Sequence, residues 1–429
     1  MKERLYIIFF VLVTLLTSPL VAKAQKTVIH AGTLLDVPGQ RSKSKQSVVI
    51  EFGKIVDIQD GFISIPNAQE IDLSSHYVLP GLIDTHVHLQ FGGADYLQQL
   101  VRLEDSVLVL RAYAEANKSL NAGFTTLRDM GGDPDVIFGL RDAINSGYVN
   151  GPTIISAGPV LMPTGGGIIR GFRRDIMGLL SATNLEYPCN GADSCRQAVR
   201  QLVKDGADLI KLVVTSSILA PNGRGFDQQM TFEEITAAVD AAHSLGVRVS
   251  AHAHGLIGIK LALQAGVDSI EHGSLTDKPT IDLYLKKGAY FVPTLSSMTS
   301  LERLVEDGKK FSPTVKENVS QANQNLFEIL NFAYKKNVKI AFGTDVNVGM
   351  HGSNAKEFLL LKKAGMTETD MIRSATIIAA ELLGLSERVG TITIGKDADI
   401  IATEGNPIKN ISELLNVNFV MKQGKVVKN

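Results

Sequence analysis

The chain has 429 residues, of which 45% are hydrophobic and 20% are charged. This composition is typical of a folded protein with room for one large barrel domain and a smaller domain. The formal net charge is −1, so no overall attraction to nucleic acid or to an anionic membrane is expected. Tryptophan is absent and aromatic residues make up only 6%, which also disfavours base stacking. A nucleic-acid-binding function is therefore not expected.

The first 24 residues have the pattern of a secretory signal peptide. Lys2 and Arg4 precede an apolar stretch over residues 5–16, and the sequence AKA at residues 22–24 fits a cleavage site. The apolar stretch is shorter than the roughly 20 residues that span a bilayer, although an uncleaved anchor is the alternative. We expect a periplasmic or secreted protein whose mature chain begins near Gln25 and is not inserted in the membrane.

Short runs rich in β-branched residues occupy both ends of the mature chain. Residues 25–79 contain TVIHAGTLLD, SVVIEFGKIVDIQ and QEIDLSSHYVLP, and residues 389–429 contain GTITIGKDADIIATEG and VNFVMKQGKVVKN. Turn residues between such runs predict β-hairpins. Because two β-rich pieces at opposite ends of a chain most simply pair with each other, we predict a small composite β-sandwich domain.

Residues 80–388 alternate helical stretches with short apolar runs. Gly or Asn at the helix ends fits the left-handed C-cap position, and the apolar runs fit strands buried on both faces. The eight predicted strands are GLIDTHVHL, NAGFTTLRD, PTIISAGPV, KDGADLIKL, SLGVRVSAHAH, QAGVDSIEHG, KKGAYFVPT and KKNVKIAFGTD. They predict an α/β fold, the (β/α)8 TIM barrel. A doubly wound open sheet is disfavoured, because no dinucleotide-type glycine pattern follows the first strand.

Polar residues cluster at the carboxyl ends of these strands, where barrel active sites lie. His86 and His88 are two residues apart on a strand, so their imidazoles point to the same face and suit a divalent metal such as zinc. The later strand ends carry Arg128, Asp129, Lys211, His252, His254, His272 and Asp345. We interpret three other histidines as ordinary surface or packing residues, namely His30, His76 and His243.

These motifs resemble the metal-dependent amidohydrolase superfamily over essentially the full mature length. Within it the chain is similar to the branch of Xaa-Pro dipeptidase-like and imidazolonepropionase-related hydrolases. The motifs are LPGLIDTHVH, GFTTLRDMGG, GADLIKL, VSAHAHG, AGVDSIEHG, IAFGTD and GTITIGKDADIIA. The resemblance implies a TIM barrel and a small composite β domain around one or two metal ions.

Carried over position by position, the resemblance implies two divalent ions, with zinc the first expectation. The implied ligands are His86, His88 and Asp345 for one ion, His252 and His272 for the other, and Lys211 bridging both. Lys211 would carry a carbamate derived from carbon dioxide (N6-carboxylysine), because a free ammonium only donates hydrogen bonds and cannot bind a cation. The alternative for Lys211 is an unmodified lysine that extends from the strand end. Manganese, cobalt and iron also accept this ligand set.

The implied reaction is hydrolysis of an amide bond, in a dipeptide or an N-acyl amino acid. A hydroxide bridging the two ions would attack, and Asp345 would act as the general base. One alternative is an imidazolonepropionase-like cyclic amidase or a deaminase, whose sites pair the fifth-strand His with a Glu three residues later. Gly255 occupies that position here and Lys211 is present, which favours the binuclear hydrolase. A lactonase or esterase would use the same ligands. A non-catalytic scaffold would be expected to have lost ligands.

Further residues near the predicted site are candidates for substrate binding. His254 shares a strand face with His252 and would bind substrate or orient the ligands. Arg128 would meet a substrate carboxylate or pair with Asp129, and His351, followed by Asn354, lies on a loop after the last strand. The small-molecule substrate is the only partner that the residues imply, and the sequence is compatible with a homo-oligomer.

Two further features of the sequence lie in loops outside the implied ligand set. Relatives in this branch tend to carry a histidine after Thr-Gly-Gly following the third strand, whereas this chain has Gly167, so we expect a more apolar substrate pocket. Cys189 and Cys195 bracket a polar loop that would close into a disulfide ring in an oxidising compartment, with two free thiols as the alternative.

Overall fold

The computed structural model describes residues 26–91, 102–166, 185–218, 226–307, 311–347 and 350–429. The predicted signal peptide and Gly167 lie outside the described residues, so their interpretation stays a prediction. Within these ranges, none of the helices has both the length and the apolar character needed to cross a membrane.

Sixteen strands are present in the described ranges. In chain order they are β1 Thr27–Leu34, β2 Lys43–Glu51, β3 Lys54–Asp60, β4 Gln69–Pro80, β5 Leu82–Val87, β6 Phe124–Asp129, β7 Thr153–Ser156, β8 Val160–Met162, β9 Glu186–Pro188, β10 Leu209–Val213, β11 Arg248–Ala253, β12 Ser269–His272, β13 Tyr290–Val292, β14 Ile400–Thr403, β15 Phe419–Lys422 and β16 Lys425–Lys428.

The helices of the described ranges follow the alternation that the sequence predicts. They are α1 Asp105–Asn121, α2 Pro134–Asn145, α3 Ala192–Asp205, α4 Phe232–Ser244, α5 Leu256–Ala265, α6 Lys278–Lys287, α7 Leu295–Glu306, α8 Pro313–Lys335, α9 Lys356–Lys363, α10 Glu368–Ser374 and α11 Ile377–Leu382, with a 3-10 turn at Ile411–Leu415. Gly206, Gly266 and Gly288 end α3, α5 and α6 in the left-handed conformation, because a residue without Cβ adopts it at no steric cost.

The two chain ends form one β-rich unit. Its seven strands are hydrogen-bonded in the order β16-β15-β14-β4-β1-β2-β3, with β4 parallel to β1 and antiparallel to β14. They form a single sheet, which joins the two chain ends as predicted, and its description as a sandwich stays a prediction. The sheet curls so that the turn between β2 and β3 meets the segment before β14, where the amide of Ala398 donates to the carbonyl of Gly53 (2.8 Å). A cluster including Ile29, Val48 and Phe419 fills the inside of the curl.

The middle of the chain is an α/β unit, as predicted, in which every paired strand is parallel. One sheet has the order β5-β6-β7 and the other β13-β12-β11-β10-β8-β9. Residues 339–346 hydrogen-bond to both sheets, since Phe291 N donates to Lys339 O (2.9 Å) and Asp345 N donates to His86 O (2.7 Å). Strands β5, β6, β10 and β12 are buried along their whole length, as expected for strands covered on both faces.

Candidate metal centre

The first ligand group lies where β5 ends beside Asp345. The Nε2 atoms of His86 and His88 lie 3.6 and 3.4 Å from Oδ1 of Asp345. His272, at the end of β12, has its ring centroid 5.2 Å from that of His86. One ligand atom each from His86, His272 and Asp345 lies within 4.8 Å of the others, a spacing suited to one shared cation.

A second ligand group adjoins the first through His272. Ligand atoms of His252, His254 and His272 also lie within 4.8 Å of one another, and their ring centroids are 4.6 to 4.7 Å apart. The Nδ1 of His254 is hydrogen-bonded to Ser274 Oγ (2.9 Å), which leaves its Nε2 for a ligand or substrate. The structure thus places His254 among the potential metal ligands, and its predicted contact with substrate stays a prediction.

Lys211 lies among both groups. Its side chain is 4% exposed, and its Nζ has no hydrogen-bond partner among the described residues. Burial lowers its pKa to about 8. An amine buried without a partner is costly. Conversion to an anionic carbamate between two cations would remove that cost, so the unpartnered Nζ fits the predicted bridging modification.

The histidines of the centre favour the neutral form that binds metals. Burial, together with the positive charge of Lys211, lowers the pKa of His88 to about 4 and of His254 to about 3. Burial first, and neighbouring charges second, hold the pKa values of His86, His252 and His272 well below the usual range. Burial raises the pKa of Asp345 to about 7, against a hydrogen bond from Ser297. Neutral imidazoles with a carboxylate match the donor set of a divalent cation.

Glu271 is a central residue that the sequence argument missed. It is fully buried and accepts hydrogen bonds from His86 Nδ1 (2.6 Å), Arg128 Nη2 (2.9 Å) and Ser250 Oγ (2.7 Å). Burial alone would raise its pKa, but Arg128 and His86 outweigh burial and hold that pKa well below the usual range. A carboxylate on Nδ1 fixes the His86 tautomer and leaves Nε2 for a metal. The sequence feature that could have indicated its role is a charged residue within the short predicted strand SIEH, which is buried along its whole length.

Arg128 has partners in the structure that the sequence did not predict. Its guanidinium is 3% exposed and bonds to Glu271, to Ser269 Oγ (3.3 Å) and to the carbonyl of Thr85. Asp129 accepts instead from the amides of Leu89 and Gly131. Arg128 therefore supports Glu271 and makes its ion pair with that residue and not with Asp129; its predicted contact with a substrate carboxylate stays a prediction.

His351 is bonded to residues around the end of β5, and its predicted contact with substrate stays a prediction. It is 6% exposed, with Nδ1 bonded to Ser119 Oγ (2.9 Å) and Nε2 donating to the carbonyl of His88 (3.1 Å). Asn354 donates to Oδ2 of Asp84 (2.8 Å). Because both ring nitrogens of His351 are engaged, its imidazole holds the end of β5 in place.

Asp84 is a second residue that the sequence argument missed. It is fully buried below His86 and accepts from the amide of His86 (3.1 Å) and from the hydroxyl of Thr344 (2.7 Å). Burial raises its pKa to about 6. It ties β5 to the segment that presents Asp345, whose φ of 56° is uncommon for a residue other than glycine.

The two cysteines are paired in the structure. Cys189 and Cys195 form a disulfide with Cα atoms 4.8 Å apart, and both side chains are buried. The bond joins the end of β9 to the first turn of α3.

Comparison with known proteins agrees with this geometry. The amidohydrolase family matches residues 77–427. A solved Xaa-Pro dipeptidase with methionine bound in its active site is 39% identical, with a TM-score of 0.86 over 94% of this chain and 100% of that one. Ochratoxinase from Aspergillus niger is 29% identical over 95% of this chain and 87% of the relative. Imidazolonepropionase from Fusobacterium nucleatum is 24% identical over 89% and 91%.

The fold and the relatives define a hydrolase that acts on carbon–nitrogen bonds. The chain belongs to the amidohydrolase family, and its structural neighbours are Xaa-Pro dipeptidase-like members of that family. This confirms the resemblance drawn from the motifs.

Proposed function

We propose that the chain is an exported, binuclear metal-dependent hydrolase of amide bonds. The observation that carries the proposal is the unpartnered Nζ of Lys211, whose charge acts on His86, His88, His252 and His272 and on Asp345. The Lys211 amine has no hydrogen-bond partner among the described residues, and only the nearby charges of Glu271 and Asp345 oppose the cost of burying it. Conversion to a carbamate that binds cations would remove that cost.

The proposed ligands are those predicted from the sequence. His86, His88 and Asp345 would hold one ion, His252 and His272 the other, and carboxylated Lys211 would bridge them, with His254 adjacent. When bound, two zinc ions would supply Lewis acidity to the attacking water and the scissile carbonyl.

The protein's own residues would orient the reactants and move the proton. The Asp345 carboxylate would accept a proton from the attacking water and return it to the leaving amine. Glu271 would keep His86 in the tautomer with a free Nε2.

We also propose that the central strands form the eight-stranded barrel of the family. Residues 339–346 would be its eighth strand, since they hydrogen-bond to β13 on one side and β5 on the other. The link between the two sheets is a hydrogen bond from Asp208 N to Ser156 O (2.9 Å). In such a barrel the carboxyl ends of all strands open on one face, which accounts for the convergence of the ligands.

The proposed substrate class is a dipeptide or an N-acyl amino acid. The printed names of the relatives support this class, since one is an Xaa-Pro dipeptidase with methionine in its active site. Another structure, a prolidase complexed with N-methylphosphonate-L-proline, is 29% identical with a TM-score of 0.84. Gly167 leads us to expect a preference for apolar side chains.

The structure disfavours the deaminase and cyclic amidase alternative because the backbone around Gly255 leaves no room for a glutamate side chain. Those sites need a glutamate three residues after the fifth-strand histidine, the position of Gly255. A Cβ at Gly255 would lie 2.0 Å from the carbonyl oxygen of Phe226, so no larger residue fits there without moving the backbone. A lactonase or an esterase would use the same metal ligands, so only the comparison of substrates distinguishes these activities from amide hydrolysis.

The test combines metal analysis with a substrate screen. Purified protein is assayed for bound metal per chain and is loaded with carbon-13-labelled bicarbonate, which should give a carbamate signal by NMR that Lys211→Met lacks. Dipeptides, N-acyl amino acids, lactones and esters are then compared. Two ions per chain, the carbamate signal and amide hydrolysis support the proposal, whereas a protein without metal, or one that hydrolyses only lactones or esters, overturns it.

A further inference from the structure

Helix α7 begins beside the metal centre, and its N-cap residue is unusual. Thr294 has φ 49° and ψ 47°, and its side chain does not cap the helix. N-cap threonines usually have extended backbone and accept from an amide of the first turn, as Thr231 and Thr367 do at α4 and α10. A positive φ in a β-branched residue is a backbone outlier that lowers the stability of the fold. Such outliers occur most often at functional sites.

The hydroxyl of Thr294 is engaged with a predicted metal ligand. Its Oγ1 lies 2.8 Å from Nδ1 of His272, and Thr294 is fully buried. With Nδ1 held by this hydroxyl, Nε2 of His272 is the nitrogen available to a cation. His272 has φ 69°, so the ring's direction is not set by a regular strand and depends on its partners.

The amides that Thr294 leaves uncapped are satisfied by a residue distant in sequence. Glu357, on α9, accepts from Leu295 N at Oε1 (2.9 Å) and from Ser296 N at Oε2 (2.7 Å). Its side chain is fully buried. A carboxylate at a helix N-terminus is stabilised by both the free amides and the helix dipole.

We propose that Glu357 is a positioning residue for the metal centre, in a role that rests on the proposed function. By capping α7 in place of its N-cap residue, Glu357 frees the Thr294 hydroxyl to hold Nδ1 of His272. The ring then presents Nε2 toward His86 and Asp345. The strained backbone of Thr294 is maintained because Glu357 fixes the residues that follow it.

The test measures Co²⁺ binding to the full chain after removal of metal by a chelator. Thr294→Val keeps the shape and β-branching of the residue but lacks the hydroxyl, and Thr294→Ser keeps the hydroxyl. Thr294→Val should weaken Co²⁺ binding about tenfold or more and alter the visible absorption of the bound Co²⁺. Thr294→Ser should restore both readouts to within about twofold of the parent.

Glu357→Gln has a matched control elsewhere in the structure. Glu234 is a buried carboxylate that also accepts from two amides near helix ends, those of Gly191 and Thr231 (both 2.8 Å), but it contacts no predicted ligand. Glu357→Gln should weaken Co²⁺ binding and alter the spectrum as Thr294→Val does. Glu234→Gln should leave both within about twofold of the parent, whatever its effect on thermal unfolding.

The outcomes separate this role from the proposed function. Parent affinity and spectrum in Thr294→Val or in Glu357→Gln, or equal losses in the two glutamine variants, would overturn the positioning role while the metal centre stands. If Glu357→Gln does not fold, the Thr294→Val and Thr294→Ser pair still tests the contact with His272 through which Glu357 would act, and parent-like Thr294→Val overturns the role. Absence of Co²⁺ binding by the unchanged chain would overturn the proposed function, and this role with it.

Discussion

Replacement of Glu271 by glutamine should destabilise the protein and weaken metal binding through two separable effects. The carboxylate accepts from Arg128 and from Nδ1 of His86, both of which only donate in this geometry. A glutamine offers one oxygen and one NH₂ group, so its NH₂ must face one of these donors. The substitution also leaves the buried guanidinium without its counter-charge.

The magnitude follows from burial. Glu271 is 0% exposed and Arg128 is 3% exposed, and breaking a buried pair at one partner costs about 3–5 kcal/mol. We expect the metal-free Glu271→Gln protein to lose about that much free energy of unfolding in urea. Loss of the His86 contact should separately weaken metal binding by about 10- to 100-fold.

A double variant distinguishes the two effects. Glu271→Gln with Arg128→Met removes both charges, and replacing both members of a buried pair is often close to neutral. The double variant should therefore recover much of the unfolding free energy but none of the metal affinity. Parent-like stability of metal-free Glu271→Gln, or recovery of metal affinity in the double variant, would refute the reasoning.

Three further predictions test the centre and the disulfide. Asp345→Asn should lower kcat by several orders of magnitude while circular dichroism stays unchanged, and near-normal turnover would contradict a general-base role. Lys211→Met should bind less metal yet stabilise the metal-free protein by about 1–3 kcal/mol. Between about pH 8 and the ordinary lysine pKa of 10.5, the unfolded chain binds more protons than the folded one. The free energy of unfolding of the parent should therefore rise with pH in this range, and that of Lys211→Met should lack this rise. The same pH dependence in both proteins would argue against a buried amine. The double variant Cys189→Ala, Cys195→Ala should lose about 2 kcal/mol of unfolding free energy, because the disulfide closes a loop with a sequence separation of 6. Thermal unfolding measures this loss, and the reduced parent should unfold like the double variant.

That the proposed ligands lie together could be predicted from the sequence because these residues end strands. His86, His88, His252 and Asp345 follow apolar runs with Gly or Asn before them, and parallel strands bring their carboxyl ends to one edge. The same reasoning gave the α/β class and the pairing of the two chain ends. The sequence did not reveal that the seven terminal strands form one curled sheet, since curling depends on contacts such as Gly53 with Ala398.

The supporting residues could not be predicted in the same way. Glu271 precedes a ligand by one residue, and in a regular strand adjacent side chains point to opposite faces. Its inward position was therefore unexpected. For Arg128 and His351, the atoms that each side chain faces depend on partners many residues away, such as Glu271 and Ser119. Glu357 reaches the amides that follow Thr294 only because α7 and α9 pack together, which no local pattern encodes.

The composite sheet ties the beginning of the chain to its end. Strand β4 lies between β1 and β14, and only Gly81 separates β4 from β5, which carries His86. A Cβ at Gly81 would lie 2.3 Å from Thr125 Oγ1, so a residue larger than glycine does not fit at this junction unless its neighbours move. During synthesis, β4 lacks one neighbour until residues 400–403 have emerged. The strand that leads into β5 therefore gains its second neighbour only near the end of synthesis.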